Sequence, residues 1–303
     1  MKIVVMGSYN TDMIVKVPHI PKPGETVLGG KFTTAPGGKG ANQAVAAARI
    51  GGDVTFIARV GDDSLGKEAI KRFESENINT KYIKRDLVDP SGVALIVVDK
   101  NGQNSIAVAL GANSNLSSSD VDDSIEIIES AEILLTQLET PLSSVEKVIS
   151  LAKAAGTKVV LNPAPAQALS DDLLDNITVI TPNESESEAL TGIAVTDFSS
   201  AEKAADVLLY KGIKTVVITM GEKGALLKTN SCTQIINPLN VDAVDATAAG
   251  DVFNGALVVA MAEGNTLEAS VEFANAAAAF SVTKLGAQPS APNRTEVDMM
   301  LNN

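Results

Sequence analysis

The chain has 303 residues, 45% of them hydrophobic and 20% charged, a composition that can bury a substantial core. Its 37 Asp and Glu residues outnumber its 24 Lys and Arg residues, and the net charge of −13 disfavours binding to nucleic acid or to an anionic membrane surface. The single cysteine, Cys232, excludes an internal disulfide, and the single histidine, His19, argues against Ser-His-Asp chemistry. No apolar run approaches the ~20 residues of a membrane span, and the chain opens on an apolar strand instead of a leader, so we expect a cytoplasmic protein.

The first third of the chain predicts strands and helices around a glycine-rich loop. Residue spacing favours a strand at 2–6, a return strand near 13–17, a helix at 42–50, a strand at 54–61 and a helix at 64–77. Two further apolar runs, 92–98 and 105–110, flank Asn101-Gly102, and Asn-Gly between such runs is a strong hairpin signal. We expect segments of about 12–34 and 92–110 to form a small β-sheet that is attached to the main body and serves as a lid.

From residue 118 onward, predicted strands alternate with predicted helices. The pattern favours helices at 118–130, 142–155, 201–211 and 267–283, and strands at 132–139, 157–166, 178–184 and 215–221. Strands separated by helices of this size imply parallel β-α-β units with right-handed crossovers. The predicted fold class is α/β, with residues 1–303 forming one domain around a central, mostly parallel sheet flanked by helices.

Several of the predicted strands end in polar or turn residues. These are Glu139, Asn162, Asn183 and the run from Thr219 to Gly221. In open α/β sheets, ligands bind outside the carboxyl ends of the strands. Four strands that end this way favour one shared polar site.

The sequence VDATAAGDVFNG at 244–255 carries the most chemical information. A run of small residues ends at Asp251, and apolar residues then recur at helical spacing. The first N–H groups of such a helix are unpaired and attract anions, while a carboxylate beside them can take a proton from a hydroxyl. The segment therefore predicts phosphoryl transfer to an alcohol. On this segment alone, the alternative that Asp251 is only an N-terminal helix acid stays open.

Two other segments have the chemistry to hold a phosphorylated ligand. In PGGKGANQA (36–44), the glycines permit close approach to a ligand and Lys39 adds a cation; the alternative is a flexible connection. In NESE (183–186), Asn183 and Glu186 could orient waters around Mg²⁺; the alternative is a helix start with acids in its first turn. The sequence has neither a Walker A motif nor a GxGxxG after a strand, which disfavours dinucleotide binding.

Six short segments resemble those of the PfkB sugar-kinase family and occur in the same order. They are GSYNTD, GGKGANQAVAA, NPAPA, TPNESE, DATAAGDVFNGAL and KLGAQPSAP. The likeness covers nearly the whole chain, and GSYNTD, GGKGANQ and GAQPS narrow it to the ribokinase-like members of the family. The resemblance implies a ribokinase-like fold and ATP-dependent phosphorylation of the 5-hydroxyl of D-ribose, giving D-ribose 5-phosphate and ADP.

The resemblance also implies roles for residues at the positions of the family's motifs. Asp251 is implied as the catalytic base, and the backbone N–H groups of Ala248, Ala249 and Gly250 as an anion hole. The implied ribose-contacting residues are Asn10, Asp12, Gly38, Lys39, Asn42, Glu139 and Asp251. The implied ATP-contacting residues are Asn183, Thr219, Gly221, Gly224, Gly250 and Asn275, with Asn183 and Glu186 linked to Mg²⁺ through water.

A monovalent cation and a second subunit are implied in the same way. The residues implied for a K⁺ activator, mostly through backbone carbonyls, are Asp245, Thr247, Ser281, Lys284, Gly286 and Ser290. The lid sheet is implied to form a homodimer. Val252 and Ala246 depart from the family's pattern without removing an assigned group. Two rival functions stay open: a related kinase acting on deoxyribose, fructose or a nucleoside, and a non-catalytic sugar-binding protein.

Overall fold

Residues 2–302, which the computed structural model describes, form one large and one small sheet. The large sheet has nine strands and the small sheet four. The large sheet contains β1 (Lys2–Met6), β4 (Asp53–Gly61), β5 (Ile83–Asp86), β8 (Ile133–Thr136), β9 (Lys158–Leu161), β10 (Val179–Ile180), β11 (Thr215–Thr219), β12 (Ala225–Thr229) and β13 (Thr233–Ile236). The small sheet contains β2 (Asn10–Lys16), β3 (Phe32–Gly37), β6 (Gly92–Val98) and β7 (Asn104–Ala109).

Helices cover both faces of the large sheet. They are α1 (Lys39–Arg49), α2 (Ser64–Ser75), α3 (Ser118–Asp122), α4 (Ile125–Glu129), α5 (Leu142–Ala155), α6 (Asp171–Asp175), α7 (Glu184–Thr191), α8 (Phe198–Tyr210), α9 (Ala249–Ala262), α10 (Leu267–Ser281) and α11 (Arg294–Leu301). Ile3 and Val5 of β1 belong to the core with α1, α9 and α10, whereas Val4 and Met6 belong to the core with α5 and α8. Because both faces of the strands are buried, the strands are continuously apolar. The predicted α/β class is confirmed.

The order of strands in the large sheet locates the crevice. The order is β13-β12-β11-β10-β9-β8-β1-β4-β5. β12 pairs antiparallel with both of its neighbours, and the other pairs are parallel. The chain runs from β1 outward to β5 and then returns on the other side of β1 at β8. The carboxyl ends of β1 and β8 therefore border the switch point at which such sheets bind ligands.

The small sheet confirms the predicted attachment to the main body. Its order is β3-β2-β6-β7, in which β2 pairs in parallel with β6 and the other pairs are antiparallel. Since β2 follows β1 after three residues, the sheet stands beside the carboxyl end of β1. Its role as a lid and the grouping of the chain into a single domain stay predictions, and residues 1 and 303 of that domain lie outside the described residues.

Several predicted elements differ in extent from the observed ones. The helix predicted at 118–130 is two helices, α3 and α4, because Ser124 has non-helical backbone angles and its hydroxyl donates to the Asp120 carbonyl. The strand predicted at 157–166 ends at Leu161, since Pro163 and Pro165 lack the N–H groups of a sheet ladder. The sequence patterns did not predict β5, β13 or α11. Within residues 2–302, none of the helices has the length and apolar character to span a membrane.

Candidate active site at the carboxyl ends of the strands

Helix α9 begins with an unusual first turn. Ala248, the residue before the helix, has left-handed backbone angles (φ 61°, ψ 13°), and its side chain provides no cap. A left-handed alanine costs ~1–2 kcal/mol, so the surrounding loop must impose it. The N–H of Ala249 donates to the carbonyl of Ala246 (3.2 Å), whereas among residues 2–302 no acceptor takes the N–H groups of Ala248 or Gly250. Two of the three N–H groups implied for the anion hole are therefore unpaired.

Asp251 lies in the first turn of α9, and its carboxylate contacts α1. Its Oδ2 accepts a hydrogen bond from Asn42 Nδ2 (2.9 Å), and its Oδ1 accepts one from Gln43 Nε2 (3.0 Å). Asp251 is only 6% exposed. Burial raises its pKa above the ordinary value, while the charge of Lys39 and the two amide donors favour the ionised form. Asp251 is thus a first-turn acid, as the simpler alternative held, but it is placed and buried like a proton acceptor.

The glycine-rich segment is closely packed against β2 and is not a free connection. α1 begins at Lys39, three residues before the predicted start, and Gly38 has a φ of 91°. A Cβ on Gly38 would lie 2.7 Å from backbone atoms of Tyr9 and Asn10, so only glycine fits. The backbone N–H of Lys39 donates to Glu139 Oε2 (3.1 Å), which joins this segment to the end of β8.

The Lys39 ammonium faces three carboxylates. Burial acts to lower the pKa of Lys39, but the charges of Asp251, Glu139 and Glu186 outweigh burial and raise the pKa. Glu139 also accepts a hydrogen bond from the hydroxyl of Ser8, which follows β1. The structure therefore brings side chains from α1, α7, α9 and the ends of β1 and β8 to one charged site, where Lys39 is available to an anionic ligand.

Asn10 and Asp12 lie on β2, beside this charged site. Asn10 Oδ1 accepts a hydrogen bond from Asn113 Nδ2 (3.0 Å), which leaves the Asn10 amide N–H groups as donors. Burial, and then the charge of Glu139, raise the pKa of Asp12 to about 6. The buried Oδ1 of Asn42 has no hydrogen-bond partner in the described part of the chain. These amides and the carboxylate offer the donors and acceptors that sugar hydroxyls need.

Asn183 and Glu186 form a capping box at the start of α7. Asn183 Oδ1 accepts from the N–H of Glu186 (2.8 Å), and Glu186 Oε2 accepts from the N–H of Asn183 (2.9 Å). The segment is therefore a helix start, as one of the two interpretations held. Burial raises the pKa of Glu186, whose charge interacts with Lys39 and Asp251. Among residues 2–302 no group of three acidic, His or Cys side chains could hold a metal directly. The side-chain oxygens of Asn183 and Glu186 are acceptors that can orient waters around Mg²⁺.

Besides Asn183 and Gly250, the residues implied for ATP lie at the end of β11, in the turn after it and on α10. Gly221 (φ 55°) and Gly224 (φ 92°) turn the chain after Thr219. The N–H of Thr219 donates to the carbonyl of Pro182 (3.0 Å), so this turn lies beside the start of α7. Asn275 on α10 has a buried Nδ2 that lacks a partner among residues 2–302. That amide group is therefore an unused donor.

Asp245 joins two loops near the start of α9. Its Oδ1 accepts from the N–H of Thr247 (2.9 Å), and its Oδ2 accepts from the N–H of Gly286 (2.8 Å). Burial acts to raise the pKa of Asp245, but these hydrogen bonds outweigh burial and lower the pKa. Within residues 2–302, the backbone carbonyls of Asp245, Thr247 and Gly286 accept no hydrogen bond. The Asp245 side chain shapes the loops, and the carbonyls remain available to a cation, which fits a K⁺ site.

The side chains of the other residues implied for K⁺ have partners elsewhere. The hydroxyls of Ser281 and Ser290 each donate to the carbonyl three residues earlier. The Lys284 ammonium pairs with Glu296 (3.0 Å). The N–H of Asp245 donates to the carbonyl of Val282 (3.0 Å), which holds the end of α10 beside the loop. The carbonyl of Ser281 accepts the N–H of Lys284 (3.0 Å), whereas within residues 2–302 the carbonyls of Lys284 and Ser290 accept no hydrogen bond and remain available to a cation.

Three buried amides near Asp251 were not predicted from the sequence. Gln43 donates to Asn162 Oδ1 (3.0 Å) as well as to Asp251, and Gln137 donates to Gln43 Oε1 (2.6 Å). Asn254 donates to the carbonyl four residues earlier (2.8 Å). The available signal was position, because Gln43 belongs to the GGKGANQ segment and Gln137 directly follows the apolar run of β8.

Comparisons with known proteins agree with this geometry. Residues 1–294 match the pfkB family carbohydrate kinases. A ribokinase of Haemophilus influenzae is 51% identical over 294 residues, covering 97% of this chain and 96% of that protein, and a deoxyribokinase of Salmonella typhi is 40% identical with the same coverage. The solved structure of Arabidopsis thaliana ribokinase complexed with ribose and ATP has a TM-score of 0.92 at 35% identity, covering 99% of this chain and 98% of that chain. The chain belongs to the pfkB family of carbohydrate kinases.

Proposed function

We propose that this chain is an ATP-dependent kinase that phosphorylates the 5-hydroxyl of D-ribose, giving D-ribose 5-phosphate and ADP. The observation that carries the proposal is the position of Asp251, a buried carboxylate in the first turn of α9, beside unpaired backbone N–H groups and the charge of Lys39. This arrangement combines a base and an anion site. The identity to ribokinases over nearly the whole chain supports ribose as the acceptor.

The sugar is held between the small sheet and α1. Asn10 and Asp12 offer a donor and an acceptor from β2, and the unpartnered Oδ1 of Asn42 offers an acceptor from α1. Paired contacts of this kind fix the sugar so that one hydroxyl meets Asp251. Holding the two reactants in line supplies a large share of the rate enhancement in phosphoryl transfer.

Asp251 takes the proton of the 5-hydroxyl while the hydroxyl oxygen forms a bond to the γ-phosphorus of ATP. The bond from that phosphorus to the bridging oxygen breaks, and ADP leaves with the electron pair. The N–H groups of Ala248 and Gly250 donate to the phosphoryl oxygens, and Lys39 offsets their negative charge. Donors fixed before the reaction stabilise the transition state without reorganisation.

Two metal ions complete the proposal. Asn183 and Glu186 would hold Mg²⁺ through waters; when bound, the ion offsets phosphate charge. The carbonyls of Asp245, Thr247 and Gly286 would hold K⁺. K⁺ would order the loop that leads into the anion hole and would take no part in bond making.

We also propose a homodimer that forms through the small sheet, and a cytoplasmic location. The support for the dimer is that the apolar side chains of Phe32, Leu95, Ile106 and Val108 on this sheet are 51–61% exposed. Phe32 and Leu95 lie on one face of the sheet, and Ile106 and Val108 lie on the other. Exposed apolar side chains grouped in this way mark an interaction surface. The support for the cytoplasm is the use of ATP together with the single, unpaired Cys232.

Replacing the base tests the proposed chemistry. Asp251→Asn should lower kcat by roughly 10²–10⁴ and leave ATP affinity largely intact, because the amide cannot take a proton. ADP release with ribose and MgATP measures kcat, and calorimetry measures ATP affinity. The control is Asp171→Asn, which removes a first-turn acid from α6. Near-wild-type turnover of Asp251→Asn would show that Asp251 is only a helix acid.

A sugar panel tests the acceptor. The second candidate is 2-deoxy-D-ribose, because a deoxyribokinase shares 40% identity with this chain. We expect kcat/KM to be highest for ribose among ribose, deoxyribose, fructose and a nucleoside. A higher value for another acceptor would replace ribose and leave the kinase chemistry standing. Absence of ADP release with every sugar would favour a non-catalytic sugar-binding protein.

Exchanging K⁺ for Na⁺ tests the cation site. We expect kcat to be higher in K⁺, and Asp245→Ala to require about tenfold more K⁺, because two charge-assisted hydrogen bonds that hold the loops are lost. Asp242→Ala, which removes an exposed acid of the same loop, should keep the wild-type requirement. Equal wild-type rates in the two cations would contradict K⁺ activation.

A further inference from the structure

A continuous chain of buried side-chain amides reaches Asp251 from the ends of two strands. Gln137 directly follows β8, Asn162 directly follows β9, and Gln43 on α1 hydrogen-bonds to both. Gln137 Nε2 donates to Gln43 Oε1 (2.6 Å), and Gln43 Nε2 donates to both Asn162 Oδ1 (3.0 Å) and Asp251 Oδ1 (3.0 Å). The three amides are at most 6% exposed, so water does not compete for these bonds.

One backbone carbonyl fixes the direction of the amides. Asn162 Nδ2 donates to the carbonyl of Thr181 (3.3 Å), an atom that can only accept. The Oδ1 of Asn162 therefore faces Gln43. Because Oδ1 can only accept, Gln43 must donate to it through Nε2, and the second proton on Nε2 is donated to Asp251. Gln137 donates to the Oε1 of Gln43 from the other side, so the Gln43 amide cannot flip. Gln43 thus always presents a donor to the carboxylate.

Thr181 also connects this chain of amides to the start of α9. The Thr181 hydroxyl donates to Asn254 Oδ1 (2.6 Å), and Asn254 Nδ2 donates to the carbonyl of Gly250 (2.8 Å). Asp251 directly follows Gly250, so the hydrogen bonds close a ring that returns to Asp251 through Gln43. The base and the residue with an unpaired N–H are therefore held by one rigid network.

We propose that Gln43 is a positioning residue for phosphoryl transfer: it keeps the Asp251 carboxylate ionised and directs its remaining lone pairs into the crevice. This role rests on the proposed function of Asp251 as base. Gln137 and Asn162 act through Gln43 by fixing its orientation. Without Gln43, the buried carboxylate retains one amide donor, Asn42, and binds a proton more readily.

The charged groups that face Asp251 stay in place when Gln43 is replaced. Lys39 on α1 favours the ionised carboxylate, while Glu139 after β8 and Glu186 on α7 oppose it. None of these three side chains hydrogen-bonds to Gln43 within the described part of the chain. A change in pH dependence on replacing Gln43 therefore reports the amide contact and not a lost charge.

The pH dependence of kcat tests this role. Gln43→Met keeps the side-chain length and removes the amide, so Asp251 should stay protonated to a higher pH. We expect the acid limb of kcat with ribose and MgATP to move up by about one pH unit, so that kcat is about tenfold lower at pH values on that limb and recovers above it. Gln137→Met should move the limb in the same direction by less, because it only frees Gln43 to reorient.

Matched variants separate positioning from stability. Ser144→Ala removes a buried hydroxyl that bonds the Leu116 carbonyl far from the site, so it should lower stability and leave the limb unmoved. If Gln43→Met does not fold, Gln43→Glu keeps the shape and should move the limb further, because a second carboxylate opposes ionisation. A uniform loss of kcat with an unmoved limb would overturn the inference. A wild-type protein that phosphorylates no sugar would instead overturn the proposed function.

Discussion

The pKa of Asp12 links ribose binding to pH at the level of a single residue. Burial, and then the charge of Glu139, raise this pKa to about 6, so Asp12 becomes protonated as the pH falls through that value. A protonated Asp12 accepts hydrogen bonds poorly, so we expect KM for ribose to rise below about pH 6. Glu139→Gln removes one of the two causes, so the rise should begin at a lower pH. Steady-state kinetics with saturating ATP measure KM.

The control for this prediction is KM for ATP in the same pH series. Asp12 lies on β2, whereas the residues implied for ATP lie at the starts of α7 and α9, at the end of β11 and in the turn after it, and on α10, so KM for ATP should not follow the same inflection. A KM for ribose that stays level through pH 6 in the wild-type protein would remove Asp12 from the sugar site.

Individual site residues were predictable from sequence where their chemistry is carried by the side chain itself. Asp251 and Lys39 stand out as charges among small residues, and Glu139 as a charge after an apolar run. Gln43 and Gln137 did not stand out, because their role depends on the direction of each amide. That direction is set by a carbonyl at Thr181, which is brought close only by the sheet. No spacing in the sequence encodes this contact.

The contact between α1 and α9 determines the position of the base at the level of elements. A Cβ on Gly255 would lie 2.7 Å from Ala46 Cβ and 2.8 Å from the carbonyl of Gln43. Gly255→Ala should therefore push α9 away from α1 and cost ~1–3 kcal/mol of unfolding free energy. We also expect kcat to fall about tenfold, because Asp251 moves relative to its amide donors. Denaturant unfolding and ADP release measure the two effects.

An exposed helix position separates the two effects of Gly255→Ala. Ser150→Gly weakens α5, which lies on the other face of the sheet, through helix propensity alone. It should lower stability and leave kcat unchanged. If Gly255→Ala lowered stability with an unchanged kcat, the α1–α9 contact would be structural only.

Elements were predictable from periodicity where the pattern is long, as in α5, whose predicted and observed bounds coincide. They were less predictable where the pattern is short. β10 has two residues, and β13 is a half-exposed edge strand, so neither shows a full alternation. The polar residues that follow β8 and β9 were read as strand because apolar spacing does not show where sheet pairing ends. Those residues are the ones that build the site.

The reversal of strand order explains, for the whole molecule, why residues distant in sequence meet. The chain leaves β1 in one direction and returns at β8, so loops from both halves of the chain border one crevice. Glu139 and the Lys39 backbone, 100 residues apart, are joined there by a hydrogen bond. The sequence predicted a shared site at the strand ends, but it could not give the order in which the strands pair.

At the level of the whole molecule, we predict that a homodimer forms through the small sheet. Ile106 pairs with Ile96, so these two side chains share one face of the sheet. Leu95 precedes Ile96 in the strand and therefore points to the opposite face. Leu95 and Ile106 are both more than half exposed. A specific dimer buries about 1,600 Å² in total, and lysines within such an area would be desolvated without partners. Leu95→Lys combined with Ile106→Lys should therefore give a monomer in sedimentation equilibrium, whereas Tyr210→Lys, at an exposed position on α8, should remain dimeric. A wild-type protein that sediments as a monomer at every concentration would exclude the dimer. A double variant that stays dimeric would show that the dimer forms through another surface.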